Sequence, residues 1–186
     1  MFRLGGFAAL SDVDLRSSHS FLAQFFIPRN DLRKLPEAKA NEVRANQLRA
    51  LDCGAGIGRI TKNVLLKFFD KVDLLDSCEN FLKEARNYIG PEEYDQRIST
   101  ICSPLQKFQP ADGVPVYDLI WIQWVIGHLF PDQQFLDFLG KCKGILKPHG
   151  LLMIKDNHTS TDDNDLDSQD GRWADGPLLS SLVIIA

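Results

Sequence analysis

The chain has 186 residues, 44% of them hydrophobic and 25% charged, with a formal net charge of -4 at pH 7 and a pI near 5.5. That is enough chain for one domain with a real core and too little for two comfortable ones. The acidic balance argues against nucleic acid as the main partner, and no apolar run approaches the length of a membrane span.

The opening "MFRLGGFAALSDVDL" reads as irregular and Gly-containing. "SSHSFLAQFF" then predicts a helix with Phe21, Leu22, Phe25 and Phe26 on one face and serines placed to cap it. "PRNDLRKLPEAKANEVRANQ" is a polar, Pro-broken connector with at most a helical turn. From there strands and helices alternate. "LRALDCGAG" is a short strand running into glycines, "RITKNVLLKFF" an amphipathic helix, "KVDLLD" a strand, and "CENFLKEARNYIG" a helix with Gly90 as a left-handed stop. "ISTICS" and "VYDLIWIQW" are strands, "PDQQFLDFLGKCKGILKPHG" a helix between Pro131 and Pro148, and "GLLMIKD" a strand. Beyond Asn157 the pattern fails. "HTSTDDNDLDSQDGRWADGP" is polar and acidic, and "LLSSLVIIA" is either one final strand or an untethered tail.

This alternation predicts an α/β fold, a mostly parallel sheet with helices on both faces. Ligands of such sheets bind outside the carboxyl ends of the strands. Those ends fall at Asp52-Cys53-Gly54, Asp76, Leu105-Gln106, Gln123-Trp124 and Asp156-Asn157. The four cysteines, Cys53, Cys78, Cys102 and Cys142, form no Cys-x-x-Cys pair, so no metal site is expected. They read as reduced packing residues. With no secretory leader expected at the N-terminus, this places the chain in cytoplasm and nucleus.

"LDCGAGIGR" spaces its glycines G-x-G-x-G, at Gly54, Gly56 and Gly58, one residue tighter than the dinucleotide fingerprint. With Asp52 just before, this resembles the loop of S-adenosylmethionine-dependent methyltransferases. Asp76 ends the next strand, where a carboxylate can accept both ribose hydroxyls. Arg59, beside the loop, suits a carboxylate in bidentate fashion. The alternatives are a solvated arginine and a glycine turn that only packs.

"LDCGAGIGRITK", "IWIQWVIGHL", "CKGILKPHG" and "IKDN", in this order and spacing, resemble the eukaryotic protein N-terminal methyltransferases, α-N-methyltransferases of Xaa-Pro-Lys termini. "LGGF" followed by "DLRSSHSFL" is similar to the family's opening segment, and the resemblance spans residues 3 to 157. It implies a class I methyltransferase, Rossmann-like fold and methyl transfer from S-adenosyl-L-methionine to a protein's α-amine. By motif match, Gly54, Arg59, Asp76, Leu105, Gln106 and Gln123 hold the cofactor. Leu4 and Trp124 face the peptide, and His128, Asn157 and Asp167 stand near the amine. Residues 1–157 are then the methyltransferase domain, with 1–50 as an N-terminal lid segment and helix, and 158–186 an acidic loop and divergent tail.

The chemistry agrees with these residue types. A free α-amine has a pKa of about 7.7–8.0 and must lose a proton before attack. An imidazole is the side chain suited to take it near neutral pH, which nominates His128. Asn157 offers a carbonyl acceptor, and Trp124 a ring face for a cationic terminus. His128 as a helix-boundary residue, Trp124 as core and Asn157 as a turn residue are the bland alternatives. The run "DDNDLD" suits a substrate lysine or a solvated loop.

The sequence departs from the family at both ends, in the shape of a truncated form. The antiparallel C-terminal hairpin is expected to be missing. Two other readings therefore stand beside the enzyme: a non-catalytic S-adenosylmethionine-binding regulator associated with an active relative, and a small-molecule methyltransferase.

Overall fold

The structure, a computed structural model, describes residues 8–110, 115–129, 132–158 and 178–185, with side chains described for 11–110, 115–129 and 133–156. Among these residues six strands form one sheet. They are β1 (Arg49–Cys53), β2 (Lys71–Asp76), β3 (Ile98–Cys102), β4 (Tyr117–Gln123), β5 (Leu146–His158) and β6 (Leu178–Ile185). The order across the sheet is β3-β2-β1-β4-β5-β6. Strands β1 to β5 are parallel, and β6 runs antiparallel to β5. The helices are α1 (Ala8–Leu22), α2 (Glu37–Ala45), α3 (Arg59–Asn63), α4 (Glu79–Ile89), α5 (Pro91–Arg97) and α6 (Asp132–Ile145).

Strand periodicity divides the core in two, because successive side chains point to opposite faces. Ala50, Leu74, Leu119, Trp121, Leu151 and Met153 face one way, and pack with Leu22 of α1, Ile60 of α3 and Leu82, Ala85 and Ile89 of α4. Leu51, Cys53, Leu75, Ile120, Ile122 and Ile154 face the other way, against Phe138, Cys142 and Ile145 of α6. Near-continuous apolar strands are what a sheet covered on both faces demands. Chain connections leave β1 in opposite directions, so the crevice opens between the ends of β1 and β4.

The α/β sandwich matches the expectation, with local differences. Helix α1 begins before the serines, not at them, so Ser17, Ser18 and Ser20 lie inside it. It ends at Leu22, and Phe25 is exposed beyond it. The helix expected after the glycines is a single α-turn, α3, followed by a 3-10 turn over Leu65–Lys67. Its β-branched Thr61 and Val64 weaken continuous helix. Gly90 has positive φ but extended ψ (φ 115, ψ 133), so it is not a left-handed stop; it leads into α5, with Pro91 at the first position. Strand β5 starts at Leu146, ahead of Pro148. "LLSSLVII" is strand β6, so one antiparallel strand does stand at the edge where the hairpin was expected to be missing. All four cysteines are free, but only Cys53 and Cys142 are core; Cys78 is half-buried and Cys102 exposed.

Gly58 joins the glycine turn to the packing. Its φ is +81°, and a Cβ there comes within 2.7 Å of Ile89 Cδ1. Gly58→Ala should therefore lower unfolding free energy in urea by about 2–4 kcal/mol, from left-handed strain plus overpacking. Ile89→Val in the same background should restore part of that loss. An alanine variant as stable as the parent would contradict this reading of the turn.

Candidate functional site

The glycine turn leaves β1 with three consecutive alternate residues in positive φ: Gly54 (70°), Gly56 (55°) and Gly58 (81°). Only glycine takes such a run without strain. Gly54 N–H and Ala55 N–H both donate to the Leu75 carbonyl, at 2.8 and 3.2 Å. A Cβ on Gly54 comes within 2.8 Å of the Val125 side chain, so the turn and the segment after β4 approach closely only because Cβ is absent. Asp76, at the end of β2, accepts Gly56 N–H on Oδ2 and Cys78 N–H on Oδ1, each at 2.8 Å. Each carboxylate oxygen keeps a further lone pair.

Gly54, Asp76, Leu105, Gln106, His128 and Leu129 line one cleft of about 310 Å³ at the carboxyl ends of the strands. This lies at the small end of the usual range for ligand sites. Leu105 and Leu129 are buried and give it an apolar wall. Gln106 donates from Nε2 to the His128 carbonyl at 2.7 Å, which ties the turn after β3 to the turn after β4. His128 itself is exposed, on a 3-10 turn over Ile126–His128.

Arg59 and Gln123 are not in that lining. They meet instead at a residue that sequence reasoning missed, Asp14 of α1, which is 1% exposed. Arg59 donates to Asp14 Oδ2 at 2.8 Å. Gln123 Nε2 lies 2.9 and 3.0 Å from the two carboxylate oxygens. Lys155 Nζ pairs with Oδ1 at 2.5 Å and also donates to Ser18 Oγ and the Asp14 carbonyl. Strand parity explains the meeting: Gln123 and Lys155 share the face of Trp121 and Met153, which α1 covers. The signal in the sequence was the spacing of Asp14, Ser18 and Leu22, one buried stripe at i, i+4, i+8.

Trp124 is neither core nor free. It is 39% exposed, with the Arg59 guanidinium 4.8 Å from its ring centroid, so one face already meets a cation of the chain. Its φ is +56°, a costly value for a bulky residue, and its N–H donates to the Lys155 carbonyl. Such strain tends to persist at functional sites. Asn157 lies in β5 opposite Leu179, with its side chain outside the described residues. Leu4 and Asp167 also lie outside the described residues.

Asp52, just before the glycines, turns inward. Its Oδ2 accepts Thr61 Oγ1 at 2.6 Å. Burial pushes its carboxyl up to about 6, against the opposing Thr61 bond and Arg59 charge.

The model of the family described as AdoMet dependent proline di-methyltransferase matches residues 3–178. The chain belongs to that family. It is 46% identical over 154 residues to human N-terminal Xaa-Pro-Lys N-methyltransferase 1, covering 83% of this chain and 62% of that protein. It is 44% identical to alpha N-terminal protein methyltransferase 1 of Arabidopsis thaliana, covering 83% of this chain and 52% of that one. A SAM-dependent methyltransferase structure from Leishmania major superposes with a TM-score of 0.70 at 31% identity, over 94% of this chain and 61% of that one. The chain thus spans less than two thirds of the length of these relatives.

Asp52 makes stability depend on pH. Its proton is held to higher pH in the folded state than in the unfolded chain, so the native state binds more protons between pH about 4 and 6. Stability therefore falls as pH rises through that window. In urea titrations from pH 4 to 7, the gap between wild type and Asp52→Asn should shift toward the variant by on the order of 2–3 kcal/mol. Parallel pH profiles for the two proteins would contradict the assignment.

Proposed function

We propose that the chain binds S-adenosyl-L-methionine in the cleft after β1 and methylates the α-amine of proteins whose processed N-terminus reads Xaa-Pro-Lys. The observation that carries this reading is that Gly54, Asp76, Leu105 and Gln106 line one cleft together with His128. Residues matched to the cofactor and the residue matched to the amine therefore face the same space. The names of the human and Arabidopsis relatives support the substrate class.

The residues fit the cofactor. The Gly54 turn exposes backbone where a Cβ has no room. Asp76 is anchored by two backbone N–H groups and keeps acceptor capacity for ribose hydroxyls. Leu105 and Leu129 offer the apolar wall an adenine ring needs. Arg59, fixed between Asp14 and Trp124 beside the cleft, is the cation for the methionine carboxylate, and Gln123 acts at the same end through Asp14. When bound, the cofactor supplies a methyl group already activated on a sulfonium sulfur.

The chain's own work is alignment and proton removal. An α-amine arrives largely protonated at neutral pH. His128, exposed at the cleft rim, takes that proton and leaves the nitrogen lone pair free for the methyl carbon. By motif match, Asn157 and Asp167 are the residues assigned to the amine, and Leu4 and Trp124 those assigned to the peptide.

The test is mass spectrometry of a Ser-Pro-Lys peptide incubated with this chain and S-adenosyl-L-methionine. Mass gain in methyl steps is expected, absent for the N-acetylated peptide. His128→Gln should lower the rate by about 100-fold with little change in cofactor affinity. No mass gain, with cofactor binding intact, would overturn the catalytic reading in favour of a cofactor-binding regulator.

A further inference from the structure

Helix α1 reaches the sheet through a polar knot. Asp14 is 1% exposed and Lys155 is among the largest fully buried side chains. Four bonds or ion contacts converge on the Asp14 carboxylate, from Arg59 beside the glycine turn, Gln123 at the end of β4 and Lys155 in β5. Each donor is itself constrained. Gln123 Oε1 accepts Trp121 Nε1 at 3.1 Å, so both ends of its amide are committed and its orientation is set. Arg59 lies under Trp124 and, among the described residues, its guanidinium makes a long 3.4 Å contact to Ser11 Oγ besides its bond to Asp14.

Arg59 is thus held by one short bond on one side and one ring on another. A guanidinium has five N–H donors in a rigid fork, so most of its donor capacity is unspent among the described residues. Its side chain remains 18% exposed, within reach of an incoming ligand. Asp52, the other acid whose charge acts on Arg59, bonds Thr61 instead.

We propose that Asp14 is a positioning residue for the amino-acid end of the cofactor, holding Arg59 and Gln123 so that the unspent side of the guanidinium receives a carboxylate. This rests on the reading that the cleft binds S-adenosyl-L-methionine. Asp14 acts through Arg59 and touches no reacting atom. Its contribution is selective: it serves recognition of the carboxylate, and the adenosine half of the cleft does not depend on it.

Two ligands separate this role from a merely structural one. S-adenosylhomocysteine carries the amino-acid carboxylate, whereas 5′-methylthioadenosine has the same adenosine and sulfur without it. Calorimetric titration of both into wild type, Asp14→Asn and Asp14→Asn with Lys155→Met tests the proposal. The double variant removes the lysine that the single substitution leaves buried and unpaired, and so guards against a failure to fold. In each folded variant, affinity for S-adenosylhomocysteine should fall by about 10- to 100-fold, while affinity for 5′-methylthioadenosine stays within about twofold. Equal losses for both ligands, or no loss for either, would overturn the role of Asp14. A wild-type chain that binds neither ligand would overturn the cofactor reading itself.

Discussion

The buried ion pair between Asp14 and Lys155 is the contact on which the candidate site depends. A lysine fully inside an apolar face is costly unless a carboxylate meets it, and losing one partner of such a pair typically costs about 3–5 kcal/mol. Lys155 sits on a strand whose neighbouring side chains, Met153 and Leu151, are core. Asp14 can satisfy it only if α1 lies across that face. The pair therefore fixes where the first helix docks, and Ser18, one turn on, takes a second proton of the same ammonium. Arg59 and Gln123 then inherit their positions from a carboxylate placed for another reason.

Two groups of residues share the carboxyl edge of the sheet, and the segment after β4 connects them. Gln123 belongs to the Asp14 knot, Trp124 stacks on Arg59, Val125 fills the space over Gly54, and His128 lines the cleft. Trp124 makes the transition with a positive φ, turning the chain sharply from the sheet toward the cleft. Asp156, near the end of β5, accepts Ile126 N–H and holds the far side of that segment. Gln106 closes it from the β3 side through the His128 carbonyl. The stretch "WIQWVIGHL" is thus one continuous wall, with its first half facing the buried charges and its second half the open cleft.

Much of this was legible in the sequence because it depends on short-range rules. The strands announce themselves as apolar runs, and parallel order follows from their alternation with helices. The glycine turn, Asp76, Leu105 and Gln106 fall at the strand ends, where this fold class opens its crevice, whereas His128 came from the family resemblance; all of them line one cleft. What escaped depends on contacts distant in the chain. Asp14 looks like one acid among several in a polar opening, and only docking against Gln123 and Lys155, over a hundred residues away, gives it meaning. Trp124 read as a ring waiting for a cation, but the Arg59 already in the chain takes one face. The tail reads as either a final strand or an untethered segment, and only its pairing with the edge of β5 decides for the strand.

The most direct test of this account is a crystal structure of the chain with S-adenosylhomocysteine. The account predicts the ligand carboxylate within about 2.7–3.2 Å of the Arg59 guanidinium and the ribose hydroxyls on Asp76. Asp14 should still bridge Arg59, Gln123 and Lys155. A ligand whose carboxylate lies away from Arg59, or whose binding pulls Arg59 off Asp14, would contradict it.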